Sequence, residues 1–228
     1  MLKGIEGVAF DLDGTLYPNY RFNIRLIPFI LKEWRLLTSF GRARKIIRKE
    51  QEKSLLTQSD FYKYQAEITA KILGTSAEAL QEKTERLIYR GWEPVFKTVK
   101  LFKNASAVLG ALREAGFKLG ILSDFPLENK LKYMGISGIW DASLCSESCG
   151  AIKPHPLPFA ELAKAMSLPP EKIIYVGNSR SYDVAGAHRA GMKTAWIKSV
   201  FFPGSGIKKP KPNFTFSNYR QFYNFMLN

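Results

Sequence analysis

Two acidic side chains stand two residues apart in the segment VAFDLDGTL, which covers residues 8–16. Side chains alternate along an extended backbone, so Asp11 and Asp13 are predicted to point to the same side. Gly14 makes a sharp turn possible directly after them. An ionised carboxylate can attack a phosphoryl group while its neighbour holds a proton for the leaving oxygen. The pair therefore indicates phosphoryl-transfer chemistry.

The same pair has a second interpretation, because short acidic residues before a glycine often form an Asx-type turn that closes a strand. The Asp-x-Asp-Gly pattern alone does not decide between a turn and a site. Carboxylates and backbone carbonyls at such a turn are also hard oxygen ligands, the kind that magnesium prefers. Asp11 and Asp13 are therefore candidate metal ligands as well.

Further polar groups follow apolar runs elsewhere in the chain. They are Ser123-Asp124, Lys153-Pro154, and Gly177-Asn178-Ser179 with Asp183. The hydroxyl and backbone amides at Ser123 can donate to phosphate oxygens, and Lys153 can neutralise the charge crowded beside Asp11. Asn178 and Asp183 could complete the shell of a magnesium ion. Together these groups would surround one phosphate.

The elements that must position these groups alternate between strand and helix. Buried strands are predicted at Val8–Phe10, Lys118–Leu122, Lys172–Val176 and Lys193–Ile197. Helical patterns cover 104–115, with Asn104 as an N-cap, 156–166 and 181–190, and a short extended piece at 214–216 precedes a final helix. This alternation predicts an α/β fold whose parallel sheet is covered on both faces.

Residues 17–92 interrupt the alternation with basic, amphipathic helical patterns such as 24–37 and 42–52. An insert at this point leaves from the carboxyl end of the first strand, where open parallel sheets place their ligands. We therefore predict a catalytic core formed by 1–16 and 93–228, and a helical domain of 17–92 that lies over the site.

Composition limits the class of protein. A chain of 228 residues with 46% hydrophobic residues can form one sizeable domain with an insert, and two cysteines are too few for a disulfide framework. The sequence carries neither a membrane-span pattern nor the order of a secretory signal, which predicts a cytoplasmic protein. The net charge of +14 fits an acidic partner, a polyanionic substrate or simple colloidal solubility.

The insert is strongly basic, with ten Lys or Arg residues and three Glu between Arg21 and Lys53, a local net charge of +7. Nucleic acid, another polyanion or an anionic membrane surface could bind such a segment. A solvated helix surface is favoured, because the basic residues of 42–49 spread around a helix rather than forming one stripe. The aromatic residues of this region are predicted to form its core: Phe22, Phe29, Trp34 and Phe40.

These motifs resemble those of the haloacid dehalogenase superfamily. They occur in that family's order, as DLDGTLY at 11–17, SD at 123–124, KP at 153–154 and GNSRSYD at 177–183, and the resemblance extends from about 7 to 197. It implies a Rossmann-like core with a helical C1 cap inserted after the first motif. It also implies phosphoryl transfer to Asp11, proton transfer by Asp13, and magnesium held by Asp11, the Asp13 backbone carbonyl and the fourth motif.

Two positions depart from the family's pattern. Asn178 stands where an aspartate is usual, which offers magnesium a neutral oxygen and predicts a tuned affinity rather than loss of the metal. His155 stands after Pro154, where an aspartate is also more usual. We predict that His155 caps the following helix or faces solvent, since a histidine without a matching partner is poor support for a metal ligand.

The predicted site residues fall into four groups. The catalytic residues are Asp11, Asp13 and Lys153. The phosphate-binding residues are Gly14, Thr15, Ser123, Asp124 and Lys153. The magnesium ligands are Asp11, Asp13, Asn178 and Asp183. Substrate specificity is assigned to residues that follow the catalytic turn and begin the insert, namely Tyr17, Asn19, Tyr20, Arg21 and Arg25.

The leading functional hypothesis is a magnesium-dependent phosphatase that hydrolyses a small phosphorylated metabolite through an aspartyl-phosphate. A phosphomutase would use the same chemistry with a sugar hydroxyl as acceptor, and a non-catalytic module could use the basic insert to bind a polyanion. Dehalogenation is disfavoured, because the superfamily's dehalogenases lack an acid two residues after the nucleophile, where this chain has Asp13. The substrate and the oligomeric state are left open.

Overall fold

The computed structural model describes residues 4–54, 60–198 and 210–228. Its strands are β1 Gly7–Phe10, β2 Lys118–Ser123, β3 Ala142–Cys145, β4 Ile173–Gly177, β5 Lys193–Ile197 and β6 Phe214–Phe216. They form one sheet in the order β3-β2-β1-β4-β5-β6, in which every neighbouring pair is parallel. The predicted α/β fold with a parallel sheet is confirmed.

Strand β1 lies in the middle of the sheet, and each of its residues is buried. Val8 and Phe10 belong to the hydrophobic core on one face and Ala9 to the core on the other, as alternation along a strand requires. Phe10 is in register with Ile121 of β2 and Val176 of β4. The chain therefore leaves these three central strands at one edge, and this edge carries Asp11, Ser123 and Asn178.

Helices surround the sheet. Helices α1 to α5 are Asn19–Arg25, Ile27–Lys32, Trp34–Ser54, Phe61–Leu73 and Ala77–Thr84. Helices α6 to α10 are Ala105–Glu114, Glu128–Tyr133, Pro156–Ala165, Ala185–Arg189 and Tyr219–Leu227. Shorter π or 3₁₀ turns occupy Glu85–Arg90, Glu93–Thr98, Ser137–Ile139, Ser146–Cys149, Pro170–Lys172 and Arg180–Val184.

Helices α1 to α5 lie within the insert 17–92, which follows β1, and the described part of the insert contains no strand. Helix α3 runs unbroken for 21 residues, where the sequence patterns suggested two helices. The insert begins at the carboxyl end of β1, at the edge that carries Asp11. The division into domains at 16/17 and 92/93 stays a prediction.

Strand β3 and Asn104 differ from the sequence patterns, and His155 agrees with them. Strand β3 was missed because it is a four-residue edge strand whose pattern of exposure does not alternate. Asn104 precedes α6 in a left-handed conformation, with φ of 67°, and its side chain makes no capping hydrogen bond. His155 does cap α8, because its Nδ1 accepts a hydrogen bond of 3.1 Å from the Leu157 backbone N–H. The capping prediction for His155 is confirmed.

Within the described residues, no helix combines the length and the apolar character that crossing a membrane would require.

Candidate active site

The turn that the sequence predicts to be catalytic begins inside the sheet. The Asp11 backbone N–H donates to the Val176 carbonyl at 2.9 Å, so Asp11 is still held by the neighbouring strand. The chain then turns at Gly14, whose φ is +86°. A Cβ on Gly14 would lie 2.1 Å from Asn178 Nδ2, so only glycine lets the Asn178 side chain lie against this turn.

One buried lysine joins the first and fourth motifs. Lys153 Nζ lies 2.6 Å from Asp11 Oδ1 and 2.7 Å from Asp183 Oδ1, and all three side chains are buried. Thr15 Oγ1 donates to the other oxygen of Asp11, Oδ2, at 2.7 Å. Both oxygens of Asp11 are therefore oriented by donors, and the orientation of the carboxylate is set before any substrate binds.

The charges in this cluster do not balance, because one ammonium serves two carboxylates. Burial and then the neighbouring Asp183 raise the pKa of Asp11 to about 7, while Lys153 opposes that rise. Burial lowers the pKa of Lys153, but the two carboxylates outweigh burial and hold its pKa well above the usual value. The lysine stays charged, and whenever Asp11 is ionised the cluster carries an excess of negative charge that a further cation could neutralise.

Asp183 reaches Lys153 because the chain after β4 forms a π turn, Arg180–Val184, before α9 begins. The Ser179 backbone N–H donates to Asp183 Oδ2 at 2.9 Å. A Cβ on Gly177 would lie 2.2 Å from the Asp183 Cβ, so a side chain at position 177 would displace Asp183. The sequence predicted an ordinary helix here, whereas π turns are frequent at functional sites.

Asp13 is held by different partners from those of Asp11. The Tyr17 hydroxyl donates a hydrogen bond to Asp13 Oδ1, and Ser123 Oγ donates one to Asp13 Oδ2 at 3.0 Å. Tyr17 is fully buried. Burial, followed by the charge of Asp13 and its hydrogen bond, raises the pKa of Tyr17 well above its usual value, so Tyr17 remains a donor.

Lys130 of α7 is a second cation at this site that the sequence analysis missed. Its Nζ lies 3.6 Å from Asp13 Oδ2, and it also lies 5.0 Å from the Phe96 ring centre and 5.2 Å from that of Phe125. The side chain is largely buried. A lysine in a short amphipathic helix carries no local signal of such a role, because only the folded chain brings it to Asp13.

The oxygen donors at this edge fit magnesium. The described residues contain no group of three His, Cys, Asp or Glu side chains placed to hold a metal. Asp11 and Asp183 offer two buried carboxylates, so further donors would be neutral oxygens, such as the Asn178 amide and the Asp13 backbone carbonyl. Magnesium accepts this mixture of oxygen ligands, and the excess negative charge described above favours a cation.

Asp124 was predicted to bind phosphate, but its contacts do not support that role. Its Oδ2 lies 2.9 Å from Arg48 Nη2 and 3.3 Å from Arg44 Nη2, and its Oδ1 accepts from the Lys153 backbone N–H at 3.0 Å and from Ser146 Oγ. Burial would raise the pKa of Asp124, but the two arginines hold it well below its usual range. An ionised carboxylate repels phosphate, and these contacts tie it to the insert instead.

Arg44 and Arg48 correct the expectation that the basic residues of the insert are solvated surface. Arg44 is buried and donates to Glu147 and, at 3.1 Å, to Gln65 Oε1, while Arg48 Nε donates to the Lys153 carbonyl at 2.8 Å. Residues four apart share one helix face, so this spacing was a usable signal. The neighbours that do remain exposed are Arg42, Lys45 and Lys49.

The predicted specificity residues are spread along the start of the insert. Tyr17 contacts Asp13, and Asn19 Nδ2 lies 2.6 Å from where a Cβ on Gly14 would be, so these side chains lie at the catalytic turn. Farther along α1, Arg21 Nε donates to the Tyr20 hydroxyl at 3.2 Å, and Arg25 donates to the Arg21 carbonyl at 2.7 Å. Their role in specificity stays a prediction.

Comparison with known proteins identifies the family. The phosphoglycolate phosphatase of Haemophilus influenzae (strain 86-028NP) is 28% identical over 225 residues, which is 94% of this chain and 95% of that protein. The glyceraldehyde 3-phosphate phosphatase of Methanopyrus kandleri is 30% identical over 213 residues, which is 85% of this chain and 84% of that protein.

Solved structures share the fold. A dehalogenase crystallised as an intermediate complex matches with a TM-score of 0.70 at 16% identity over 100% of both chains. A HAD phosphatase from Thermococcus onnurineus matches with a TM-score of 0.61 at 22% identity over 97% of both chains. The family model for haloacid dehalogenase-like hydrolases matches residues 5–191. This chain is therefore a hydrolase that belongs to the haloacid dehalogenase-like family.

Proposed function

We propose that this enzyme is a magnesium-dependent phosphatase that cleaves a small phosphomonoester through an aspartyl-phosphate on Asp11. The observation that carries the proposal is the buried bridge from Lys153 to Asp11 and Asp183. It gathers a nucleophile, a fixed cation and a candidate metal ligand at one edge of the sheet, where parallel sheets bind their ligands.

In the proposed first step, the Asp11 carboxylate attacks phosphorus and the bond from phosphorus to the substrate oxygen breaks. Thr15 and Lys153 hold the carboxylate in one orientation, which limits the entropy lost on reaching the transition state. Lys153 also offsets the charge that accumulates between Asp11 and the phosphoryl oxygens. Bound magnesium would supply further neutralisation of the phosphoryl charge.

Asp13 is proposed as the acid and base. It gives a proton to the leaving oxygen in the first step. In the second step it takes a proton from the water that attacks phosphorus, while the bond from phosphorus to the Asp11 oxygen breaks and releases inorganic phosphate, so its protonation is restored at the end of the cycle. Ser123 and Tyr17 donate to its two oxygens, which fixes its direction. Asp13 also supports phosphoryl transfer over the dehalogenation that the names of several structural neighbours describe.

Small substrates are favoured by the relatives. The curated relatives that cover most of this chain are named for phosphoglycolate and glyceraldehyde 3-phosphate, compounds with few carbon atoms. We therefore propose a phosphate ester of a small organic acid or sugar as the substrate class, without choosing between these compounds.

The test is a phosphate-release assay over a panel that includes both compounds and an aryl phosphate, with magnesium and with a chelator. We expect release only with magnesium. Asp11→Asn is expected to lower kcat by at least about 1,000-fold, because the nucleophile is lost. Glu114→Gln, which alters an exposed carboxylate on α6, should keep full activity.

The outcomes separate the alternatives. Full activity of Asp11→Asn would refute the assignment of the nucleophile. Transfer of phosphate between sugar positions without net release would identify a phosphomutase instead. A folded protein that releases no phosphate from any compound but binds polyanions in a salt-sensitive way would identify a binding module.

A further inference from the structure

The outer surface of α1 and α2 exposes several large apolar side chains. Ile24 is 59% exposed, Leu31 is 74% exposed and Trp34, at the start of α3, is 58% exposed. The prediction that Trp34 belongs to the core of the insert is therefore wrong. Tyr20, Ile27 and Ile30 are also exposed. Single exposed apolar residues need no explanation, but a contiguous group of them marks a surface that contacts something apolar.

Five of these six exposed residues form one stripe. Positions 20, 24, 27, 31 and 34 are separated by alternating steps of four and three, the spacing of one helix face. The single residues between the three helices, Leu26 and Glu33, keep helical hydrogen bonds to both sides. Their backbone N–H groups donate to Phe22 and Phe29 at 3.2 and 2.9 Å, and their carbonyls accept from Ile30 and Leu37 at 2.8 and 3.0 Å. We call this set of five residues the outer stripe.

The opposite side of the same helices already packs against the protein. The ring centroids of Phe22 and Phe29 lie 6.0 and 6.1 Å from that of Trp92, and Leu26 is buried. The outer stripe is therefore not needed to attach α1 and α2 to the rest of the fold. A helix that is apolar on two opposite faces is typical of a segment with apolar surroundings on both sides.

A basic row runs beside the outer stripe. Each of its members directly follows a residue of the stripe: Arg21, Arg25, Lys32 and Arg35. Glu33 is the single acidic residue between 19 and 37, and it is paired with Lys83 at 2.9 Å. Association of two copies through this face would bring two such rows together in a chain whose net charge is already +14. The charge therefore favours an anionic partner.

We propose that the outer stripe and its basic row bind the surface of a membrane that contains anionic lipids, with α1 and α2 lying in the plane of the interface. Apolar side chains would enter the boundary between headgroups and acyl chains while Arg and Lys contact lipid phosphates, as in interfacial amphipathic helices. Tryptophan and tyrosine, present at the two ends of the stripe, suit this boundary because they are apolar bodies with a polar group. Tyr20, Arg21 and Arg25 are also predicted specificity residues, so the test below uses positions 31, 32, 34 and 35, which are not.

The test is co-sedimentation of the full chain with vesicles. Binding is expected with equimolar phosphatidylcholine and phosphatidylglycerol, but not with phosphatidylcholine alone, and it should weaken as salt is added. Leu31→Ser with Trp34→Ser removes apolar contacts, and Lys32→Glu with Arg35→Glu reverses charge. Each double variant should lower the partition coefficient by at least about tenfold.

Matched controls separate the stripe from general charge attraction. Ile46→Ser alters an exposed apolar residue of α3 outside the stripe, and Lys164→Glu reverses an exposed charge on α8. Both should bind vesicles like the parent chain, and all variants should keep the far-ultraviolet spectrum and thermal transition of a folded protein. Equal loss in the controls, equal binding to neutral vesicles, or a dimer that Leu31→Ser with Trp34→Ser converts to a monomer would overturn the proposal.

Discussion

Two buried clusters of this protein use the same arrangement of charges, in which one cation bridges two carboxylates. Lys153 joins Asp11 to Asp183 at the edge of the sheet, and Arg44 joins Asp124 to Glu147 where the insert meets the sheet. Both cations are nearly inaccessible to solvent. The difference between the clusters lies in what else each carboxylate contacts.

In the Arg44 cluster, each carboxylate has a further donor besides Arg44. Asp124 receives a second arginine, Arg48, and its pKa is held below the usual range. Burial raises the pKa of Glu147 to about 7 although Arg44 opposes the rise, and Tyr89 donates to Glu147 at 3.0 Å. The guanidinium and carboxylate groups of this cluster are planar, and each makes several hydrogen bonds or ion pairs. Such groups suit a fixed contact between two parts of the protein.

In the Lys153 cluster, one ammonium serves both carboxylates, and among the described residues neither carboxylate gains a second cation as Asp124 does. The ammonium is a compact charge shared by two carboxylates. Burial, and then the charge of Asp183, raises the pKa of Asp11 although Lys153 opposes the rise. The clusters also share Lys153, whose backbone N–H donates to Asp124 and whose carbonyl accepts from Arg48. The insert therefore contacts Lys153, the residue that orients Asp11, and four experiments test how far the clusters differ.

The largest effect is expected from Lys153→Met. Loss of the ammonium leaves two buried carboxylates without a cation, so kcat should fall by at least about 1,000-fold and stability by about 3–5 kcal/mol. Activity assays and denaturant unfolding measure the two effects. Lys164→Met, at an exposed lysine, is the control. Near-normal kcat in a folded Lys153→Met protein would show that the ammonium beside Asp11 is not needed for the reaction.

Arg44→Met should destabilise the protein by a similar amount, about 3–5 kcal/mol, because it leaves Glu147 and Asp124 buried with less compensation. Its kcat, corrected for the folded fraction, should fall by less than about tenfold, because the reacting groups are untouched. Adding Glu147→Gln should recover part of the stability. Arg42→Met alters an exposed arginine of the same helix and should change little. A loss of kcat greater than about tenfold, after correction for the folded fraction, would show that Arg44 belongs to the active site.

Lys130→Met tests the second lysine near the reacting groups. Because Lys130 lies 3.6 Å from Asp13 but is not bonded to Asp11, we expect kcat/KM to fall by about 10- to 100-fold, less than for Lys153→Met. Lys130→Arg should recover part of that loss. Steady-state kinetics on the substrate found in the panel provides the measurement. Unchanged kcat/KM in Lys130→Met would restrict Lys130 to packing between its two aromatic neighbours.

The smallest effect concerns pH. Asp11 has a pKa of about 7 in the fold, above the ordinary 3.8, so between those values the folded state holds a proton that the unfolded state lacks. Its contribution to stability is therefore greatest at low pH and falls as pH rises toward 7 and beyond. In chelator, Asp11→Asn should gain about 1 kcal/mol relative to the parent chain between pH 6 and pH 8. A difference that does not change with pH would mean that Asp11 is already ionised at pH 6.

The site could be predicted from sequence as far as its groups follow strands in order along the chain. Asp11, Ser123 and Asn178 each come after an apolar run, and parallel strands bring such positions to one edge. The family resemblance supported the same groups. Partners that lie on helices were not predictable in this way, because a helix position has no preferred distance from a strand end. Lys130, Arg44 and Arg48 are of this kind.

By itself, then, the sequence determined the parallel sheet, the polar residues that follow its central strands, and the family. Periodicity and motif spacing are local properties, so a short stretch of chain is enough to show them. Only the tertiary structure decided the partners of those groups. It turned Asp124 toward the insert, buried Arg44 beside Glu147, which is 103 residues away, and left Trp34 exposed. Such choices depend on which surfaces meet after folding, and burial and pairing over that distance are not written in any short stretch of chain.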